Sequence, residues 1–141
     1  MTAGAPAVTI TVLDDRGDLR GRSYSVSPHW SRFLPSARDI HLTTLKPGHT
    51  RGNHFHARRR EVILVLHASD WTLRWDTGAG TTAHERRFPG AGAVLLTVEP
   101  GAAHAVMNSG TADLITVGIG ETPFDPADPD TQPRRLPPPP A

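Results

Sequence analysis

The chain has 141 residues with 15 Lys+Arg against 14 Asp+Glu, a formal charge of +1; this length suits one hydrophobic core, and the balance gives no strong field toward nucleic acid or an anionic membrane. Cysteine is absent, so disulfides and thiolate metal sites are excluded and any transition-metal site must use nitrogen and oxygen donors. No run of about 18 apolar residues suggests a membrane-spanning helix, and the start "MTAGAPAVTITVLDDRG" lacks the basic and apolar segments of a secretory signal, so a cytoplasmic location is expected.

Apolar residues recur at every second position or in short runs, the period of strands. In chain order the predicted strands are 8–13 (VTITVL), a weak 22–26 (RSYSV), 39–45 (DIHLTTL), 61–68 (EVILVLHA), 71–75 (WTLRW), a weak 81–88 (TTAHERRF), 93–98 (AVLLTV), 104–108 (HAVMN) and 114–119 (LITVGI). Residues 27–37 (SPHWSRFLPSA) have no clear period and read as a loop or one helical turn over a barrel end. Glycine and proline at 46–48, 76–80, 89–92, 99–102 and 108–111 supply the reversals. Many short strands joined this way predict a closed sandwich or barrel. From Pro123 onward the chain holds eight of its fourteen prolines. The expected organisation is therefore one domain over 1–122 and an extended or disordered Pro-rich tail over 123–141, unable to join a helix or a ladder.

The segment 51–61, RGNHFHARRRE, carries the chemistry. In extended chain His54 and His56 share a face, so their imidazoles can meet one ion. Glu61 opens the most apolar strand on the face that also carries Ile63, Val65 and His67, and a carboxylate there is costly to bury unless paired or bound to a metal. Farther on, His104 follows a Pro-Gly turn and begins a strand whose same-side neighbours are Val106 and Asn108. Taken singly, each histidine reads as well as a satisfied polar residue. Arg58, Arg59 and Arg60 read as a solvated turn between strands.

These two segments resemble the two motifs of the cupin superfamily: Gly48, His54, His56 and Glu61 follow the spacing of the first, and Pro100, Gly101, His104 and Asn108 that of the second. Ala68 stands near where a glycine often follows the first motif and Glu99 where proline is frequent; both departures concern loop shape and leave the donors intact. The resemblance implies an all-β, cupin-type jelly-roll β-barrel of two antiparallel sheets. It also implies a divalent transition metal (Zn, Fe, Ni or Mn) on His54, His56, Glu61 and His104, and a homodimer. More narrowly, "RGNHFH", "PGAAHAVMNSGTADLITV" and "FDPADPDT" are similar to small cupin domains of nucleotide-sugar and capsular-polysaccharide biosynthesis.

That resemblance implies an isomerase or epimerase working beside the carbonyl of a sugar-like small molecule, with the metal polarising the carbonyl. A histidine, whose ordinary pKa is ~6.5, can carry the proton; His67 and His41 are the candidates. His67 reads equally as a core histidine bonded to backbone, and His41 lines the interior provided the even-numbered residues of 39–45 face outward. Arg51, Asn108 and Trp75 are the candidate substrate-binding residues: Arg51 for a forked contact to phosphate or carboxylate, Trp75 as an apolar wall or as plain core. An iron-dependent oxygenase and a non-catalytic sugar-binding cupin remain open alternatives, because this fold hosts many chemistries.

Overall fold

A computed structural model of the chain describes residues 6–141; the first five residues of the stretch read for a leader lie outside the described residues. Ten strands form: β1 (Val8–Val12), β2 (Asp39–Leu45), β3 (Thr50–His56), β4 (Glu61–His67), β5 (Trp71–Trp75), β6 (His84–Phe88), β7 (Gly92–Val98), β8 (His104–Met107), β9 (Leu114–Gly120) and β10 (Thr131–Pro133). A short helix, α1 (His29–Phe33), precedes β2. The weak strand at 22–26 does not form; Tyr24 makes only an isolated bridge to Asp15. Among the described residues no helix is long and apolar enough to cross a membrane.

The strands assemble into two five-stranded antiparallel sheets, ordered β1-β7-β4-β9-β2 and β10-β3-β8-β5-β6. Neither sheet closes, which corrects the expected jelly-roll β-barrel: alternation specifies which side chains face inward, but not whether edge strands pair with each other. β2 and β3 follow one another in sequence across the 46–49 turn yet belong to different sheets. They flank a cavity where a closing ladder would have run.

Between the sheets, Ile63 and Val65 of β4 and Val94, Leu96 and Val98 of β7 pack on Trp71 and Leu73 of β5, with Phe88 and Val106. Leu45, Ile63 and Val106 also line the cavity, so the core ends where the polar site begins. The helical turn does not cap a barrel end. Trp30, Phe33 and Leu34 instead pack on Val62 and Leu95, on the outer face of the first sheet. That outer face exists because even-numbered residues of β2 and β4 point away from the core, leaving Ile40 and Leu42 exposed.

The tail departs from expectation over three residues. Thr131, Gln132 and Pro133 pair with His56, Phe55 and His54. Pro133 is tolerated because β10 is an edge strand, where a missing backbone donor need break no ladder.

Candidate metal centre

The site begins with a bulge in β3. The register against β8 shifts between Gly52 and His54, which places His54 opposite His104. Gly52 has φ 100°, and a Cβ there would lie 2.5 Å from the His104 carbonyl oxygen, so a side chain would push β3 off β8. Asn53 completes the bulge at φ 55°. At the other end, Gly101 at φ 85° turns its N–H onto the His56 carbonyl at 2.8 Å. The two sequence motifs thus interlock through backbone before any ligand is considered.

One ring nitrogen from each of His54, His56 and His104 lies within 4.8 Å of the others. The ring centroids are 5.3 Å apart for His54 and His56 and 4.8 Å for His54 and His104. The His104 Nδ1–H donates to the Ala102 carbonyl at 3.4 Å, which leaves its Nε2 as an acceptor. Glu61 reaches in from β4 in the facing sheet: its Oε2 is 2.9 Å from His56 Nε2 and its Oε1 3.6 Å from His104 Nε2. The closer contact does not have hydrogen-bond geometry, and His56 Nε2 is buried without a partner. Two donors ~2.1 Å from one ion and roughly perpendicular about it lie ~3 Å apart, so this spacing suits shared coordination. Glu61 stands beside the mutually close trio rather than within it.

Electrostatics agree. Burial, then the neighbouring His104 and His56, push the His54 pKa down to about 4, so this imidazole is neutral at pH 7 and has a lone pair to give. Burial drives the Glu61 carboxyl upward, but His104 and His56 beside it outweigh that and hold it well below the usual carboxylate range. A neutral His54 beside an ionised carboxylate fits a divalent transition metal.

The trio sits in the wall of a cavity of about 720 Å³ between the sheets. His41 and Asp39 line the same cavity from β2, with His41 Nδ1 3.8 Å from Asp39 Oδ2. Arg51 lies at its exposed rim, its Nε donating to the Thr44 carbonyl at 3.4 Å. The other three sequence candidates lie elsewhere. His67 has the inward parity expected but stands six residues beyond Glu61, ~20 Å along the strand; its Nδ1 meets the Gly90 carbonyl at 2.6 Å and its ring packs edge-on to Trp71. The Asn108 amide is spent on the Leu45 and Ala112 carbonyls and the Gly110 N–H, holding loops together. Trp75 stacks on His84 outside the cavity lining.

Sequence reasoning missed Arg59. It is not a solvated turn residue: it is buried, lines the cavity, and its Nε has no partner. Its guanidinium approaches Asp39 at 3.5 Å and Glu61 at 3.8 Å. Three consecutive arginines offer no periodic signal to mark the middle one, whereas Asp130 accepting the Arg58 and Arg59 backbone N–H groups sets the bend that turns it inward.

A pH effect follows for metal-free protein. His54 is held at about 4 when folded against 6.5 ordinarily, so between these values the unfolded chain binds more protons and stability falls as pH drops. Glu61, depressed from 4.5, contributes stability that is lost only below that range. Thermal melts of the chelator-treated protein are expected to fall by several degrees from pH 6.5 to 5, with a shallower slope in His54→Gln. Equal slopes would contradict the assignment.

A family model described as polysaccharide biosynthesis C-terminal domain matches residues 33–132. The chain belongs to that family. This polysaccharide biosynthesis C-terminal domain also shares its fold with solved structures. It superposes on the capsular polysaccharide assembling protein CapF from Staphylococcus aureus with TM-score 0.63 and 24% identity, covering 88% of this chain and 33% of CapF. It thus spans about a third of the CapF length. The 3,4-ketoisomerase QdtA from Thermoanaerobacterium thermosaccharolyticum, in a mutant complex with TDP-4-keto-6-deoxyglucose, gives TM-score 0.61 and 17% identity over 86% of this chain and 85% of QdtA. The dTDP-6-deoxy-D-glucose-3,5-epimerase RmlC from Legionella pneumophila Philadelphia 1 gives 0.67 and 15% over 86% and 70%. Among curated proteins none matches the chain.

Proposed function

We propose that the chain is a metal-dependent isomerase or epimerase acting beside the keto group of a sugar-like substrate, with nucleotide-linked keto sugars as the class to test first. The observation that carries this reading is the cluster of three histidine nitrogens within 4.8 Å, with Glu61 against it, in the wall of a cavity sized for a small metabolite. The fold shared with a ketoisomerase and a sugar epimerase supports it. His54, His56 and His104 would hold the ion with Glu61 alongside, and Zn, Fe, Ni or Mn all suit such donors. When bound, the ion supplies Lewis-acid polarisation of the keto oxygen.

The chain's own groups do the rest. His41 faces the cavity from the sheet opposite His54 and His104; it takes the proton from the carbon next to the carbonyl, and the C–H electron pair moves toward the keto oxygen. Returning that proton to the former carbonyl carbon, while the proton of the adjacent hydroxyl passes to the former keto oxygen, gives isomerisation; delivery to the other face of the carbon it left gives epimerisation. Asp39 keeps the His41 ring turned toward the cavity. Arg51 holds an anionic group at the rim, and Leu45, Ile63 and Val106 keep water from the inner end. The homodimer expected from the resemblance is carried with this proposal.

The test is to load the protein with metal and incubate it with a panel of nucleotide-linked keto sugars in deuterated water. Deuterium at the carbon beside the carbonyl, lost in His41→Gln, is expected. No incorporation across the panel would overturn the reading.

A further inference from the structure

The C-terminal residues of the chain do more than trail from the two sheets. Thr131 pairs with His56, so the two side chains share a face of the sheet, and Thr131 Oγ1 lies 3.3 Å from His56 Nδ1. Beyond it the chain is fastened at several points. Arg134 grips the buried Asp76 carboxylate with two nitrogens at 2.8 and 2.7 Å, donates to the Gly101 carbonyl at 2.5 Å, and lies over the Phe55 ring at 4.3 Å. The Asn53 carbonyl and side-chain oxygen accept from the Arg134 and Leu136 backbone N–H groups, and Leu136 is buried. Arg134 and Leu136 lie beyond the residues matched by the family model, which end at 132.

We propose that this C-terminal strap is a positioning element of the metal centre, in which Thr131 fixes the tautomer of His56 so that its Nε2 lone pair faces the cavity. The alternative tautomer would carry its hydrogen on Nε2, which faces Glu61 Oε2 at 2.9 Å, and would leave no lone pair there for an ion. With the proton on Nδ1, Thr131 Oγ1 accepts it, as the Ala102 carbonyl does for His104. Partners of this kind set the ring orientation and basicity of a metal-binding histidine. Arg134 and Leu136 keep Thr131 in register, because a three-residue edge strand has too few ladder bonds to stay paired unaided.

The inference rests on the reading of His56 as a metal donor, and its test separates the two. Chelator-treated protein with ¹⁵N-labelled histidine is examined by NMR at neutral pH, and Co²⁺ alone is titrated spectroscopically into wild type, Thr131→Val, Thr131→Ser and Arg134→Gln. The Nδ1–H signature of His56 is expected in wild type and Thr131→Ser, and mixed tautomers in Thr131→Val and Arg134→Gln. Co²⁺ dissociation constants are expected to rise about tenfold or more in Thr131→Val and Arg134→Gln and to stay within about threefold in Thr131→Ser. Retention of the Nδ1–H form in Thr131→Val would overturn the positioning role, as would an Nε2–H form in wild type. Should Co²⁺ fail to bind even wild type, the metal reading falls while the tautomer comparison still decides the role of Thr131. Arg134→Gln keeps the question answerable if Thr131→Val does not fold.

Discussion

His104→Ala is expected to abolish stoichiometric metal binding and to lower proton-transfer turnover by on the order of a thousandfold. His104 is buried and sits opposite His54 across the β3 bulge, so no mobile side chain can replace its nitrogen. Two histidines and one carboxylate would remain, with the carboxylate from the other sheet. The substitution also removes one of the two groups that keep Glu61 ionised and one of those that depress His54. Both pKa values then move back toward ordinary ones, Glu61 upward as an ion becomes costlier to bury and His54 upward toward 6.5, so the surviving donors are also more easily protonated. Metal per chain by elemental analysis, beside the deuterium assay, checks this. Full metal content with unchanged turnover in His104→Ala would remove the trio from the mechanism. Glu61→Gln discriminates further: because Glu61 stands beside the trio, it should weaken metal retention without emptying the site.

The histidine trio was legible because the alternation of strands makes position two apart mean same face, and the two Pro/Gly turns announce where the donors' strands begin. Parity gave the inward face of β4 for His67, but not how far along that strand the cavity extends, and the ring lies against Trp71. Asn108 is engaged in a different way. Its place after His104 in the second motif is met, yet both its amide N–H groups go to loop carbonyls and its oxygen accepts one loop N–H. Sheet closure was illegible because two open sheets and a barrel share the same inward and outward pattern. The strap was hidden by composition: eight prolines mask Thr131-Gln132-Pro133, and pairing there depends on contacts made by Arg134 and Leu136 with residues some 60 to 80 positions earlier, which no local pattern encodes.

Trp71→Ala is expected to be the most destabilising single change in the core, by ~3–5 kcal/mol, against a total stability of ~5–15 kcal/mol for such a domain. Trp71 is fully buried between the sheets and stacks on Phe88 with centroids 4.4 Å apart at 11°. The two residues are also register partners across β5 and β6, so one truncation removes core volume and a cross-strand pair together. Trp71→Phe should behave differently. It gives up part of the stacked area, but the indole Nε1–H it deletes is buried without a partner, and an unsatisfied donor already costs ~1–3 kcal/mol. The two effects oppose, leaving Trp71→Phe within ~1 kcal/mol of wild type. Thermal melts of both variants decide it: a drop of ~10–15 °C for alanine and at most a few degrees for phenylalanine are expected, whereas equal drops would mean that indole shape, and not its unpaired donor, governs the site. Metal binding separates the core from the centre in the same samples. Trp75, not Trp71, is the β5 residue opposite His104, and the two tryptophans stand four strand steps, ~13 Å, apart. Below its melting point Trp71→Ala should therefore still bind metal, because Gly52, Gly101 and the β3–β8 pairing hold the histidines independently of that end of the core.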